Sequence, residues 1–433
     1  MKKKSHLELH NDVVAKHGKY FCAAPFNSLH EGPDGLVSTC CKSREPIGWS
    51  NEQSFEEMYN SDHAKNVRAQ FLRGEKPKQC SGCWVQEDAG KPANNRVTSN
   101  SHGYNTIDEL VAATHSDGYL PIHKPEWLDL LWTNKCNFAC IGCSPEISSS
   151  INKSHKHSFA ILNGADPKRY GANVKDWNNS NANKIDYILK HSDTITNIHL
   201  NGGEPFMQQD IYELLDELLK RGLHKKIEIW SHTNGSITKS YKGADIVNDY
   251  LVHWGNKAKI IMSSEGFGAR GEYIRFGYKD NKWLETYNKI KGTDVKLKIQ
   301  TCYNVFNALV IDEIGEWFYN NCGEQVDGSL ALWTNDTTSA RMLHIDPLLV
   351  ETAIHTLQRT LDQNKMPDNW RNNIPQHIEW MKKQVEIADW QRKSLRDGIV
   401  ELDTSRKTNF ASTFPELQQF YTKLYASTLT MPA

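Results

Sequence analysis

Short apolar runs alternate with amphipathic stretches through the middle of the chain. The runs fall at 127–131, 195–200, 227–230, 260–263, 295–301 and 330–333. Each has strand length and enough apolar character to be buried on its faces. Between them, residues 211–219 and 283–290 place apolar side chains at helical spacing. Alternation of this kind predicts an α/β fold with a parallel sheet built from right-handed crossovers. Six such units predict an open, partial (β/α)6 barrel. A polar stretch at 144–192, rich in Asn, Lys and Ser, separates the first two runs and reads as helices and loop beside the site.

The flanks differ from the middle. Residues 1–119 read as loop-rich, with a turn at Gly32-Pro33-Asp34-Gly35 and one helical pattern at 55–72. Residues 341–433 read as helical, with clear segments at 376–388 and 415–425. The predicted organisation is therefore an N-terminal Cys-rich domain over 1–119, an α/β core over 120–340 and a C-terminal helical extension over 341–433. No internal repeat or low-complexity tract is visible.

Composition narrows the classes. The chain has 433 residues, 38% hydrophobic and 24% charged, which is globular. A net charge of −1 argues against duplex DNA or an anionic membrane as the dominant partner, so nucleic acid is not expected. No apolar run reaches bilayer length, and the start MKKKSHLELH lacks the apolar stretch of a secretory signal. A cytoplasmic protein is expected, with reduced thiols. Eight of the ten cysteines fall between Cys22 and Cys143. In a large cytosolic chain such clustering points to metal or redox chemistry rather than disulfides.

The motif Cys136-Asn137-Phe138-Ala139-Cys140-Ile141-Gly142-Cys143 spells C-x3-C-x2-C directly after the first run. Three thiolates at this spacing can wrap one loop around a cubane, leaving one iron open, whereas electron-transfer clusters usually have four Cys ligands. An incomplete zinc site is the plainer alternative, but structural zinc wants four closed ligands and none follows closely. The second run ends in Asn201-Gly202-Gly203-Glu204-Pro205. Two glycines permit close backbone approach, and Glu204 with exposed carbonyls can receive an ammonium group.

Over about 120–335 the sequence resembles the radical S-adenosylmethionine (SAM) superfamily. The resemblance implies a [4Fe-4S] cluster on Cys136, Cys140 and Cys143, and SAM bound beside Gly202, Gly203, Glu204 and Pro205. It further implies polar contacts from Ser263 in Ser263-Ser264-Glu265-Gly266, and from Asn304 and Thr301. Arg275 resembles a basic residue that meets the SAM carboxylate, and Thr233-Asn234-Gly235 a family turn. The family usually carries an aromatic residue just before the third cysteine, near adenine. Here that position is Gly142, so another group, such as Phe138 or Ile141, has to take its place.

The first region adds Cys22-x12-Gly35-x4-Cys40 and Cys80-Ser81-Gly82-Cys83. This resembles the SPASM or twitch auxiliary-cluster pattern, the shorter twitch form fitting better because no cysteine follows Cys83 until Cys136. Cys22, Cys40, Cys80 and Cys83 are the implied ligands of an auxiliary [4Fe-4S] cluster. Either Cys40 or Cys41 supplies the second ligand; the Gly spacing favours Cys40. Tetrahedral S4 also suits zinc, and that alternative stays open.

Other candidates are weaker. His155 and His157 have metal-like spacing but read as a solvated loop, and Cys302 and Cys322 read as small buried hydrophobes. No phosphate loop, HExxH helix or GxSxG elbow is present. The leading expectation is a radical SAM enzyme that cleaves SAM to a 5'-deoxyadenosyl radical and abstracts hydrogen from a peptide or protein. A flavodoxin- or ferredoxin-like one-electron donor is the implied partner. The alternatives are a metal-stabilised scaffold without catalysis, and an RNA-modifying radical SAM enzyme.

Overall fold

The computed structural model describes residues 4–420 apart from 33–34, 44, 89–91, 169–181, 240–241 and 334–336. Its strands are β1 (Ser28–Glu31), β2 (Leu36–Ser38), β3 (Gly48–Trp49), β4 (Trp127–Leu131), β5 (Ala139–Cys140), β6 (Asn197–Asn201), β7 (Glu228–Thr233), β8 (Ala258–Ser263), β9 (Arg275–Phe276), β10 (Lys296–Tyr303) and β11 (Gly328–Leu332). All six predicted runs appear, as β4, β6, β7, β8, β10 and β11. The chain forms two compact units. One comprises Met1–Thr133, Trp177–Gly202 and Asp210–Trp230; the other comprises Asn134–Asp176, Gly203–Gln209 and Ser231–Ala433.

In the first unit, β1, β4 and β6 are parallel neighbours, and β2 and β3 continue from β1 as antiparallel strands. Leu29, Leu128 and Ile198 stand in register on one face, all buried. The opposite face carries a second in-register row, His30, Asp129 and His199, since paired residues of parallel strands project to the same side. His30 Nδ1 lies 2.8 Å from Asp129 Oδ2, and His199 Nδ1 lies 2.8 Å from Oδ1. Burial alone pushes the Asp129 carboxyl up, but the contacts from His199 and His30 outweigh it and hold the group well below the usual carboxylate range.

The N-terminal region is more helical than its sequence suggested. Helices run over His6–His17, Phe55–Tyr59, Asp62–Leu72, Ser81–Asp88, Asn94–His102 and Ile107–Ala113. Two of these helices open on capping boxes. Ser5 with Glu8 and Ser54 with Glu57 each satisfy two backbone donors reciprocally. The single pattern at 55–72 is two helices because Ser61 caps the second, its side chain accepting from Ala64 N. Of the predicted turn at 32–35, Pro33 and Asp34 lie outside the described residues.

In the second unit, β8, β10 and β11 are parallel, with β10 central. The expected helices are present as Asp280–Lys291 after β8 and Trp370–Met381 near the C-terminus. The latter replaces the predicted 376–388. Its buried positions Trp370, Ile374, Ile378 and Met381 set the helical face. A long helix, Asp389–Arg406, docks on Lys156–Leu162 of the polar insert. Gly398 makes the approach possible: a Cβ there would lie 2.5 Å from Leu162 Cα. Of the predicted 415–425 segment, Pro415–Leu417 is a 3-10 turn, and residues beyond 420 lie outside the described residues.

The His30–Asp129–His199 row predicts that Asp129→Asn costs about 2–3 kcal/mol of stability at pH 7, the range for hydrogen bonds to a charged group. A depressed carboxyl stabilises fully above its unfolded pKa and loses that contribution as pH falls below it. The gap between wild type and variant should therefore narrow below about pH 4, which urea unfolding at the two pH values measures.

Candidate functional site

The first unit gathers Cys22, Cys40, Cys80 and Cys83. The β1–β2 hairpin turns through Gly35, at φ 75, and delivers Cys40 just past β2. Cys80 ends a 3-10 turn, and Cys83 lies in the first turn of the helix Ser81–Asp88. All four line one cavity, together with Trp84 and Arg96. Arg96 is fixed by Glu87 through Nε at 2.7 Å and Nη2 at 2.9 Å, and donates to Phe21 O at 2.7 Å. Burial and then the neighbouring Cys40 push the Cys22 thiol up to about 12. Burial also raises Cys40, Cys80 and Cys83. Such thiols ionise only against bound positive charge, which is how a metal centre fits this donor set. Cys41 is exposed, does not line the cavity, and accepts from Asn95 Nδ2 at 3.1 Å.

The second unit holds Cys136, Cys140 and Cys143 on one loop. The backbone of that loop is tied down at nearly every residue. Cys136 N donates to Ser149 Oγ at 3.1 Å, Ser150 Oγ donates to Cys136 O at 2.9 Å, and Ser148 Oγ donates to Phe138 O at 2.7 Å. Ile141 N donates to Ile274 O at 2.8 Å beside the antiparallel pair β5–β9, in which Cys140 faces Arg275. Arg406, at the end of the long C-terminal helix, donates to Ala139 O at 2.6 Å and Tyr273 O at 3.1 Å. The three cysteines are half-buried and their thiols are raised, Cys143 to about 12 by desolvation and then by Cys140. They fit a metal centre for the same reason.

The Gly-Gly-Glu-Pro turn packs on this loop. A Cβ on Gly203 would lie 2.3 Å from Lys135 O, and Glu204 N donates to that carbonyl at 2.8 Å. Gly202 has φ 146. Glu204 is fully buried; Thr233 Oγ1 donates to it at 2.7 Å, Asn234 N at 2.7 Å and Phe206 N at 3.1 Å. Burial nonetheless pushes its carboxyl up to about 7. Three of roughly four acceptor sites are used, so one further donor can be received. Pro205 opens the 3-10 turn that follows.

The remaining sequence candidates are distributed as follows. Arg275 lies against Cys140 and Glu265. Ser263 ends β8, its carbonyl accepting from Trp283 Nε1 at 3.2 Å. Thr301 Oγ1 donates to Ser264 O at 2.8 Å. Asn304 spends its side chain on its own turn, donating to Cys302 O and accepting from Phe306 N, each at 2.9 Å. Phe138 and Ile141 are buried. Cys322 is buried as expected, whereas Cys302 is half-buried. His155 stacks edge-on against Phe276, with ring centroids 5.1 Å apart. Among the described residues, no three His, Cys, Asp or Glu side chains are gathered for a single metal ion.

Sequence reasoning missed five residues here. Arg406 and Ser148–Ser150 carry no local motif. Trp333 does the most to explain the loop: its indole lies on Gly142, where a Cβ would come within 2.2 Å of Trp333 Cη2. The missing aromatic before Cys143 is thus matched by an aromatic ring arriving from the end of β11.

Comparisons with known proteins agree with this chemistry. Residues 22–84 match SPASM, an iron-sulfur cluster-binding domain, and residues 128–253 match a 4Fe-4S single cluster domain. No curated protein matches the chain significantly. Solved structures similar to it include native anSMEcpe with bound AdoMet, at 16% identity and TM-score 0.34, covering 56% of this chain and 63% of that one. Another is Streptococcus suis SuiB bound to precursor peptide SuiA, at 12% identity and TM-score 0.33, covering 82% and 68%. The match thus spans under two thirds of the length of anSMEcpe. The two domain matches bear out the iron-sulfur part of the resemblance: a SPASM-type cluster domain and a 4Fe-4S cluster domain. No described helix is long and apolar enough to cross a membrane.

Two outcomes follow from the geometry. Cys40→Ala should lose the iron held in the first unit while Cys41→Ala keeps it, as read by iron analysis after anaerobic reconstitution. Gly142→Ala should cost about 1–3 kcal/mol by overpacking. A Trp333→Ala partner substitution should relieve most of that cost in a double-mutant cycle of thermal unfolding.

Proposed function

We propose that this chain is a radical SAM enzyme acting on a peptide or protein. The observation that carries the reading is the three-thiol loop Cys136–Cys143, in contact with a Gly-Gly-Glu-Pro turn whose buried glutamate keeps acceptor capacity in hand. When bound and reduced, a cubane with one open iron supplies the electron that splits SAM into methionine and a 5'-deoxyadenosyl radical. The protein's task is to hold, orient and shield.

In this reading Cys136, Cys140 and Cys143 are the three ligands. Ser148, Ser149, Ser150 and Arg406 fix the backbone that presents them. Gly202, Gly203 and Pro205 shape the floor for the amino-acid end of SAM, and Glu204 takes one of its ammonium hydrogens. Ser263 and Asn304 stand at strand ends where ribose or methionine contacts are expected, though Asn304 reaches SAM only by giving up its turn bonds. Trp333 supplies the aromatic surface that Gly142 lacks. Cys22, Cys40, Cys80 and Cys83 hold an auxiliary [4Fe-4S] cluster, and a domain of this type in the resembling family accompanies peptide or protein substrates. Strand order and helix alternation support a partial (β/α)6 barrel at 120–340, after a twitch-like domain at 1–119 and before a helical extension at 341–433. A flavodoxin- or ferredoxin-like donor in the cytoplasm completes the reading.

The test is anaerobic reconstitution. Wild type should bind roughly eight irons per chain, two cubanes, and release 5'-deoxyadenosine on reduction with SAM present. Cys140→Ala should release none while retaining the auxiliary iron. Stoichiometric zinc without iron, or unchanged nucleoside release in Cys140→Ala, would sink the reading.

A further inference from the structure

Arg275 stands opposite Cys140 in the β5–β9 pair. Its guanidinium is engaged on two sides. Nη1 donates to Cys140 Sγ at 3.6 Å, while Nε and Nη2 grip the Glu265 carboxylate, the latter at 2.9 Å. Both side chains are largely withdrawn from water, at 14% and 5% exposure. Glu265 is itself fixed: its Oε1 accepts from Cys302 N at 3.3 Å, and its carbonyl accepts from Asn307 Nδ2 at 3.3 Å. Arg406 clamps the flanking carbonyls Ala139 O and Tyr273 O, so the strand carrying Arg275 keeps its register with the strand carrying Cys140. Swinging the guanidinium away would leave a buried carboxylate without its cation, a costly state.

A donor on a ligating sulfur draws electron density from the metal–thiolate bond and favours the reduced centre. In a site with little water, a nearby charge is felt strongly. We propose that Arg275, held in place by Glu265, sets the reduction potential of the centre on Cys136, Cys140 and Cys143 through its contact with Cys140 Sγ. The proposal rests on the reading that these cysteines hold an iron–sulfur cluster. It gives Arg275 a positioning role in electron entry, distinct from contact with the SAM carboxylate. The step concerned is one electron passing from an external reductant to the centre, with no bond made or broken.

The pair makes an opposite-sign prediction. Arg275→Gln removes the cation and leaves the Glu265 carboxylate beside the centre, so reduction becomes harder. Glu265→Gln removes the anion and leaves the guanidinium, so reduction becomes easier. Arg275→Lys keeps the charge but cannot span both partners with one ammonium group, and should fall between wild type and Arg275→Gln. A merely structural disturbance has no reason to move the two Gln variants in opposite directions.

The experiment is a redox titration of the reconstituted full chain without SAM, followed by electron paramagnetic resonance. The signal absent from Cys140→Ala identifies the centre; the auxiliary signal is the internal control and should not move. The expected result is at least a tenfold change in the reduction equilibrium, about 59 mV for one electron, downward in Arg275→Gln and upward in Glu265→Gln. Equal potentials in wild type and Arg275→Gln with iron retained would overturn the proposal, as would shifts of one sign in both variants. An unmoved potential with weakened SAM binding would assign the guanidinium to the SAM carboxylate instead. If Arg275→Gln takes up no iron, the shifts in Glu265→Gln and Arg275→Lys decide. If wild type shows no signal that Cys140→Ala lacks, the cluster assignment itself fails, which is a different result.

Discussion

A loop that must turn three thiols toward one point cannot use those side chains to hold itself. The constraint on Cys136–Cys143 is therefore that its backbone be gripped from outside. Serines 148–150 cover one stretch, and the β5–β9 pairing covers another. Arg406 bonds Ala139 of β5 and Tyr273 just ahead of β9, and Glu204 N binds the carbonyl just ahead of Cys136. Each of these bonds replaces a bond to water, so each adds only about a kilocalorie. Their shared effect is to fix the backbone that carries the three cysteines.

That constraint explains the unusual distance between residues that cooperate here. Arg406 lies more than two hundred residues from the loop it clamps, and it arrives on a helix that docks through the bare backbone of Gly398. A substitution anywhere along that docking surface acts on the cysteines without touching them. The same holds for Trp333, whose indole fills the space a side chain on Gly142 would need. The glycine and the tryptophan form one unit of volume shared between distant positions, as close-packed interiors require.

Much of this was legible in the sequence, but only where chemistry is local. Three cysteines at C-x3-C-x2-C spacing, the Gly-Gly-Glu-Pro turn and the six apolar runs are patterns a few residues long, and the strands stand where the runs predicted. Cys40, favoured by its spacing from Gly35, lines the first-unit cavity, and Cys41 does not. What escaped was non-local. Nothing near Ser148, Trp333 or Arg406 announces a partner. The His30–Asp129–His199 row becomes visible only once strand register is known. Of the unexpected N-terminal helices only His6–His17 carries a Ser-x-x-Glu cap; Asn94–His102 and Ile107–Ala113 have no side-chain cap and no local signal.

Buried carboxylates show how the two units handle charge. Asp129 is held ionised between two imidazoles, which outweigh its burial. Glu204 receives three neutral donors, and these do not offset full desolvation, so its carboxyl titrates near 7. The contacts from the two imidazoles outweigh desolvation at Asp129, whereas three donors do not outweigh it at Glu204. A carboxyl left in that state gains most from a cationic ligand. In the proposed reading, an ammonium group reaching Glu204 would meet a carboxylate whose two oxygens hydrogen bonds already hold.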